Sequence, residues 1–384
     1  MIIVDTGPKN THADMHTSVK HRPSLALMLM LVAVGWTNIN NCLVLATEPA
    51  RANGIEDNAI LADGSALELI YSRQAKLNSG LTEGPAVASD GSIYFTDMPF
   101  GNDNGMILRF DPKTSQTTVF TTNSGKSNGL VFLRDGSAVS CDGADGGGRR
   151  LVRWTRETHQ GVTLVDRFQG KRFNSPNDLV VDLRGRIYFT DPRYGGTEPR
   201  ELQHEAIYRL EADGKVLEIT RDVEKPNGIV LSPDQKTLYV GDHNNGGNRL
   251  KPSDPEPQRG AMKIYAFPLN AEGLVQGPRK TLVDFGTENG CDGMTVDSLG
   301  NVYAACRSLA RPGILVVDPA GRELAFVETG PRNQKGLFDD WKGIPSNVEF
   351  GIGDDAHSLY VTIDKSLYRL RVKTRGFHPH LESK

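Results

Sequence analysis

Short apolar runs recur along the chain in one arrangement of hydrophobic and polar positions. Each recurrence has a polar residue, an apolar run, a turn that often contains glycine, and a second run of alternating polarity. The segment "SPNDLVVDLRGRIYFTD", which begins at Ser175, shows all four parts. Alternation with a period of two residues is typical of β-strands, and the turn residues between the runs predict an antiparallel hairpin.

Six such hairpins follow one another, and the polar residue that opens each hairpin marks its position. Successive markers are 45 to 65 residues apart. They are Glu83, Asn128, Asn177, Asn227, Asp292 and Asn347. A further strand follows each hairpin, as in "GMILRFDP" and "MKIYAFPL", with no long helical pattern between repeats. Three or four strands in each repeat predict an all-β fold, a six-bladed β-propeller with four-stranded blades.

A ring of blades has to be closed, and the segment "ALELIYS" (66–72) is predicted to close it. This N-terminal strand precedes the first marker and would complete the last blade. The longest interval, between the fourth and fifth markers, contains "NNGGNRLKPSDPEPQRG". Its Pro, Gly and Asn residues predict a surface loop and not a linker between domains. Residues 53–384 are therefore assigned to one propeller domain.

Residues 1–52 are predicted to form an N-terminal extension with a signal peptide. Lys20, His21 and Arg22 precede the apolar run 25–34, and small residues follow around Ala50. A charged start, a short apolar run and a small-residue site are typical of export signals, whereas a membrane-spanning helix needs about 20 apolar residues. Export to the periplasm or the medium is expected, with no stable membrane insertion after cleavage. An uncleaved anchor and a start at Met15 stay open as alternatives.

The charge balance and the cysteines exclude several classes of partner and scaffold. The chain has 44 Lys and Arg against 47 Asp and Glu, a net charge of −3. This balance gives no reason to expect nucleic acid or an anionic membrane surface as a partner. Beyond the extension, Cys141, Cys291 and Cys306 are too few for a disulfide framework. They are expected to be small buried residues, with a Cys291–Cys306 bridge as the alternative.

The six markers carry the first candidate chemistry. Each stands at the start of the innermost strand of its blade, so a propeller would bring all six to one end of its central channel. They comprise two carboxylates and four amides, without Lys, Arg or His. Converging carboxylates repel one another unless a cation lies between them, and oxygen ligands suit Ca²⁺ or Mg²⁺. At any one position Asn-Gly or Asp-Gly is also a common turn former, but six recurrences in phase favour a metal site.

The ends of the second strands supply a second group of candidates. Because an antiparallel strand runs back beside its partner, these ends are expected on the same face as the markers. They are candidate substrate contacts, each with an ordinary loop role as the alternative. The group comprises Asp97, Asp142, Asp191, Asp242, His243 and Arg307, together with Arg193 and Tyr194, which follow Asp191 closely. Among the markers, Asn128 is also assigned to substrate binding.

Several motifs resemble those of the gluconolactonase/regucalcin (senescence marker protein) family. They are "EGP", "RFNSPNDL" with "YFTDPRYGG", "KPNGIVLSPDQKTLYV" and "CDGMTVDSLGNVYAAC". That family is similar in fold to diisopropyl fluorophosphatase and the paraoxonases. The resemblance implies a six-bladed propeller with one divalent metal ion at the channel mouth, commonly Ca²⁺, with Mg²⁺, Mn²⁺ or Zn²⁺ as alternatives. It implies Glu83, Asn227 and Asp292 as ligands.

The resemblance leaves two positions open and shows one departure. Asn177 aligns with a fourth ligand in the fluorophosphatase branch and with a substrate contact in regucalcin-like lactonases. Arg172 aligns loosely with an arginine that contacts substrate in some members. Many bacterial gluconolactonase-like members have "CEHGNRR" where this chain has "CDGADGGGRR" (141–150). Substrate contacts on that side are therefore expected to differ.

The resemblance implies metal-dependent hydrolysis of a sugar lactone. The ion would polarise the ring carbonyl, with Asp292 as ligand and general base and His243 as a substitute base. An aryl-ester or organophosphate hydrolase is the second hypothesis, because the same site chemistry serves both. A non-catalytic propeller that binds a carbohydrate or a protein partner is the third.

Overall fold

The hairpins and their additional strands form a ring of antiparallel sheets in the computed structural model of the chain. The structure describes residues 59–73, 80–99, 103–247, 257–336, 340–378 and 381. These residues belong to one compact unit, Glu48–Lys384. The predicted extension and signal peptide lie outside them. None of the described helices is long and apolar enough to cross a membrane.

Within the described residues the sheets form six blades of four strands, and in five of them the strands follow the order of the chain. Blade 1 comprises β2 (Gly80–Val87), β3 (Ile93–Pro99), β4 (Met106–Asp111) and β5 (Gln116–Thr121). Blade 2 comprises β6 (Ser127–Phe132), β7 (Ala138–Asp142), β8 (Arg150–Trp154) and β9 (Gly161–Val165). A small hairpin, β10 (Arg167–Phe168) and β11 (Lys171–Arg172), precedes blade 3.

The remaining blades repeat this order. Blade 3 comprises β12 (Leu179–Val181), β13 (Ile187–Asp191), β14 (Ala206–Leu210) and β15 (Val216–Thr220). Blade 4 comprises β16 (Pro226–Leu231), β17 (Thr237–His243), β18 (Met262–Pro268) and β19 (Lys280–Asp284). Blade 5 comprises β20 (Cys291–Val296), β21 (Val302–Cys306), β22 (Gly313–Val317) and β23 (Glu323–Glu328). Blade 6 comprises β24 (Pro345–Phe350), β25 (Ser358–Ile363), β26 (Ser366–Arg371) and, from the other end of the chain, β1 (Glu68–Ser72).

The N-terminal strand closes the ring, as the sequence predicts. β1 pairs antiparallel with β26, and Glu68 lies opposite Arg369, with which it forms an ion pair at 2.7 Å. On the inner side, Thr82 of blade 1 donates its backbone N–H to Asp364 O and its hydroxyl to Ser366 O of blade 6. The predicted six-bladed propeller with four-stranded blades is thus confirmed.

The hydrophobic core lies between the blades. In the described residues it divides into six clusters, and each cluster draws its side chains from two neighbouring blades. The cluster between blades 4 and 5 includes Cys291 and Cys306, which face each other across the strand pair as buried free thiols. Cys141 is likewise buried and free. The expectation that the three cysteines act as small buried residues is confirmed.

A β-bulge opens the inner hairpins. In blade 3, Asn177 donates its N–H to Thr190 O while Thr190 donates its own to Asp178 O, so two residues lie opposite one. The pairing registers of the other five inner hairpins shift at the corresponding place. Such a bulge re-aims the first of its two side chains. In blades 1 to 5 that first residue is the marker.

The second bulge residue lies close to the innermost strand of the neighbouring blade, which explains why small residues occupy this position. Glycine occupies it in four blades, at positions 84, 129, 228 and 293. A Cβ atom on Gly228 would lie 2.2 Å from Asp292 O. In blades 3 and 6, which are opposite in the ring, the residue is Asp178 or Asn347. Their side chains occupy the axis, where Asn347 hydrogen-bonds the Asp178 carboxylate.

We expect Gly228→Ala to lower the free energy of unfolding by about 1–3 kcal/mol, because the added methyl group meets backbone atoms that have no space to move into. Urea unfolding of the purified protein measures this. Gly195→Ala is the matched control, since a Cβ atom there meets nothing within 4 Å. Equal stability of the two variants would contradict the close approach of the innermost strands.

Candidate metal and substrate site

Five of the six markers meet at one end of the central channel. They line a cavity of about 390 Å³. The five are Glu83, Asn128, Asn177, Asn227 and Asp292. Each is the first residue of its bulge or stands just before the innermost strand. The bulges therefore aim oxygen-bearing side chains from five blades into one space.

The sixth marker, Asn347, does not reach this cavity, so the expectation for it was wrong. Pro345 pairs with Ile363 and Asn347 with Thr362, which makes Ser346 the first bulge residue and Asn347 the second. Asn347 consequently lines the axial channel next to Asp178. Ser346 is buried and donates its hydroxyl to Thr82 O at 2.7 Å.

Glu83 and Asp292 form the electrostatic centre of the cavity. Both are more than nine-tenths buried. Burial first, and then the charge of Asp292, raise the pKa of Glu83 well above its ordinary value. Burial likewise raises the pKa of Asp292, although Arg307 opposes this by donating from Nη1 to Asp292 Oδ2 at 2.6 Å. Arg307 is thus the ionic partner of Asp292, while the nearby carboxylate of Glu83 adds a second buried acidic group.

Tyr194 lines the cavity and orients the amide of Asn227. The Nδ2 group of Asn227 donates to the Tyr194 hydroxyl at 3.2 Å. That hydroxyl donates in turn toward the backbone carbonyls of Lys225 and His243. Because the amide nitrogen is engaged, Asn227 Oδ1 remains as the acceptor side of the amide. Tyr194 therefore positions a cavity oxygen in addition to lining the cavity itself.

His243 lines the cavity as a neutral ring. Burial, and then the nearby Arg307, lower its pKa to about 3. Its Nδ1 lies 3.2 Å from the carbonyl oxygen of Cys291. A carbonyl only accepts, so Nδ1 carries the proton and Nε2 keeps a lone pair. His243 can accept a hydrogen bond, but it is a weak base.

The donor set fits a hard divalent cation. Among the described residues, no group of three or more His, Cys, Asp or Glu side chains could hold a metal ion. The candidate set instead combines the two carboxylates of Glu83 and Asp292 with the amides of Asn227 and Asn177. Mixed carboxylate and amide oxygens are ligands that Ca²⁺ accepts. Burial and the charge of Asp292 both raise the pKa of Glu83, and a bound cation would offset the repulsion between the two carboxylates.

The aspartates at the second-strand ends have another role in the structure. Asp191 accepts the backbone N–H groups of Asn174 and Ser175 at 2.8 and 2.7 Å. Asp242 accepts those of Glu224 and Lys225 in the same way. Neither lines the cavity. Each carboxylate fixes the loop that leads into its own innermost strand, and a loop role was the alternative for these residues.

The same holds for most of the remaining rim candidates. Asp97 pairs with Arg73 at 3.1 Å, and Asp142 pairs with Arg150 at 3.0 Å. Arg193 is buried and donates to the carbonyl oxygens of Asn174 and Glu198. Arg172 donates to Gly148 O and does not line the cavity. Of this group the structure brings His243, Tyr194 and Arg307 to the cavity.

Four polar side chains of the cavity were not among the candidates. They are Lys126, Asp145, Ser175 and Asn245. Lys126 stands two residues before a marker, with a left-handed backbone (φ 61°) that the sequence does not reveal. Asp145 belongs to the glycine-rich segment 141–150, where the resemblance implies different substrate contacts. That expectation was the available signal.

Comparison with known sequences identifies the family. Residues 81–365 match the profile described as the SMP-30/Gluconolactonase/LRE-like region. The chain belongs to the SMP-30/gluconolactonase/LRE-like family. The match covers well over half of the chain, and it confirms the family that the motifs indicate.

Individual members of the SMP-30/gluconolactonase/LRE-like family resemble the chain over most of its length. A gluconolactonase of Zymomonas mobilis is 31% identical over 325 residues, 76% of this chain and 81% of the relative. The pentonolactonase XacC of Haloferax volcanii is 27% identical over 73% of this chain and 81% of its own length. The solved structure of XC5397 from Xanthomonas campestris, a gluconolactonase, superposes with a TM-score of 0.66. It is 26% identical and covers 85% of this chain and 96% of that structure.

We expect Asp178 to make the metal-free protein less stable as the pH rises. Burial raises its pKa from 3.8 to about 7. The folded state therefore binds this proton more tightly than the unfolded chain, and the stability this provides is lost as the pH rises through about 7. The unfolding free energy of Asp178→Asn minus that of wild type should therefore increase by roughly 2–3 kcal/mol from pH 5 to pH 8.

Urea unfolding with a chelator at both pH values measures this difference. Asp213→Asn, in the exposed turn between β14 and β15, serves as the control. A difference between Asp178→Asn and wild type that stays constant from pH 5 to pH 8 would contradict a buried, protonated Asp178.

Proposed function

We propose that the protein is a lactonase that hydrolyses the cyclic ester of a sugar acid in the cavity at the channel mouth. The observation that carries this proposal is the meeting of Glu83, Asn227 and Asp292 at the end of a polar cavity of about 390 Å³. The similarity to a gluconolactonase and a pentonolactonase supports the same reaction class. A small-molecule lactone is thus the expected partner.

Glu83, Asn227 and Asp292, with Asn177, would hold one divalent ion. Ca²⁺ is the preferred ion, because all the donors are oxygens and two of them are carboxylates. When bound, such an ion polarises the lactone carbonyl and stabilises the negative charge that develops on its oxygen. It would also relieve the repulsion between Glu83 and Asp292.

Asp292 is assigned the general base. Asp292 lines the cavity, and the contact of Arg307 Nη1 with Oδ2 at 2.6 Å fixes the carboxylate. The carboxylate takes a proton from the attacking water as the new C–O bond forms. The ester C–O bond then breaks, and the departing ring oxygen receives the proton. The product is the open-chain hydroxy acid, which ionises at neutral pH.

The neighbours of Asp292 orient the reactants. His243 lines the cavity with Nε2 as an acceptor, which suits it to hold a water or a sugar hydroxyl. Asn128 lies on the wall formed by blade 2 and offers both a donor and an acceptor. Such fixed, largely buried groups lower the entropic cost of bringing water and carbonyl together.

The aryl-ester alternative finds support on one part of the wall. Leu81 and Met98 of blade 1 line the cavity and provide an apolar strip. Most of the other lining side chains carry amides, hydroxyls or charges, which favours a polyhydroxylated substrate. Export remains part of the proposal, supported by the charged, apolar and small-residue pattern within residues 1–52.

We expect the purified protein with Ca²⁺ to hydrolyse glucono-1,5-lactone, and Asp292→Asn to lower kcat/KM by about 100-fold or more, as for the loss of a general base. Proton release in a weakly buffered indicator solution measures the rate. Asp213→Asn controls for a lost surface carboxylate. Equal rates for Asp292→Asn and wild type across a panel of lactones would exclude this mechanism, and full activity after exhaustive chelation would exclude the metal.

A further inference from the structure

Lys126 and Asp145 form an ion pair on the cavity wall that the proposed mechanism does not use. The ammonium nitrogen lies 3.1 Å from Asp145 Oδ2. The lysine side chain is about 5% exposed and the aspartate side chain 50% exposed. Both residues line the same cavity as Glu83 and Asp292. A donor and an acceptor of opposite charge are thus side by side within reach of a bound substrate.

The backbone holds Lys126 in this place at a cost. Its φ of 61° lies in the left-handed region, which a long side chain adopts only where its surroundings impose it. Lys126 donates its N–H to Asn104 O at 2.9 Å and accepts from Gly143 N–H at 3.3 Å. These contacts direct the side chain of a residue two positions before Asn128 into the cavity.

The loop that carries Asp145 is fixed at its neighbouring residues. Ala144 donates its N–H to the Ser175 hydroxyl at 2.9 Å, and Gly146 donates to Glu198 Oε1 at 2.8 Å. Asp145 itself has a left-handed backbone (φ 62°). The loop therefore forms part of the cavity wall, where Gly143 and Ala144 line the cavity beside Asp145.

We propose that Lys126 and Asp145 together bind two adjacent hydroxyl groups of the substrate and so select polyhydroxylated lactones. This rests on the proposed lactonase function. The ammonium donates to one hydroxyl oxygen, and the carboxylate accepts the proton of the next. A neutral diol satisfies both partners, whereas a negatively charged substituent would be repelled by Asp145. A lactone without hydroxyls offers neither the Lys126 ammonium nor the Asp145 carboxylate a hydrogen-bond partner, so it gains nothing from this pair.

The test compares glucono-1,5-lactone with δ-valerolactone, which has the same ring size without hydroxyls. We expect the ratio of their kcat/KM values to fall about 10- to 100-fold in Lys126→Met and in Asp145→Asn, the size expected for a hydrogen bond to a charged group. The double variant should lose little more than either single variant, because the two residues act on one diol. Lys113→Met and Asp213→Asn, in exposed turns, are the matched controls.

A binding measurement separates this inference from the proposed function. 1,5-Anhydroglucitol has the ring and hydroxyls of the lactone but no carbonyl, and NMR titration measures its affinity. Weaker binding of 1,5-anhydroglucitol by Lys126→Met and Asp145→Asn supports the inference. A wild type that hydrolyses no lactone refutes the proposed function, but it leaves this binding result valid. The inference is overturned by an unchanged kcat/KM ratio in an active enzyme. It is also overturned if wild type binds 1,5-anhydroglucitol no better than tetrahydropyran, or if it prefers a lactone with an added carboxylate.

Discussion

The six innermost strands approach one another closely around the axis, and the site depends on this constraint. Because a Cβ atom at Gly228 or Gly129 would collide with the neighbouring strand, the second bulge residue is glycine in four blades. In blades 1 to 5 the first bulge residue then turns its side chain to the mouth. The same packing excludes water from Glu83 and Asp292, so that their charges act at low dielectric and repel strongly. Because the strands pack closely, the cavity contains two buried carboxylates and too little positive charge to balance them.

The rest of the ring supports that arrangement without taking part in it. Asp191 and Asp242 hold the loops that lead into β12 and β16, and thereby fix where Asn177 and Asn227 stand. Tyr194 orients the Asn227 amide by accepting a hydrogen bond from its Nδ2 group. β1 closes the circle from the far end of the sequence, which keeps blade 6 beside blade 1 and hence Glu83 near Asp292. The scaffold therefore contributes precision, and the cavity side chains contribute the chemistry.

The fold could be predicted from the sequence because the hairpin pattern of apolar and polar residues recurs regularly along the chain. Two strands with two-residue alternation around a turn, repeated six times, leave little choice of architecture, and the closing strand follows from an unpaired apolar segment before the first repeat. Most markers were also readable, since each stands at a constant distance before the turn of its hairpin. Asn347 was misplaced because "SN" contains no glycine to show which residue is second in the bulge. The cavity roles of Lys126 and Asp145 depend on left-handed backbone and loop packing, which residue identity alone does not show.

The most direct measurement is a crystal structure of the protein grown with Ca²⁺. The account predicts one ion within about 2.3–2.6 Å of oxygens from Glu83, Asn227 and Asp292, the range for calcium–oxygen contacts, with an anomalous signal that identifies the element. A cavity in which these three side chains remain apart, with the Arg307 guanidinium as their sole counter-charge and the ion absent or bound elsewhere, would contradict it.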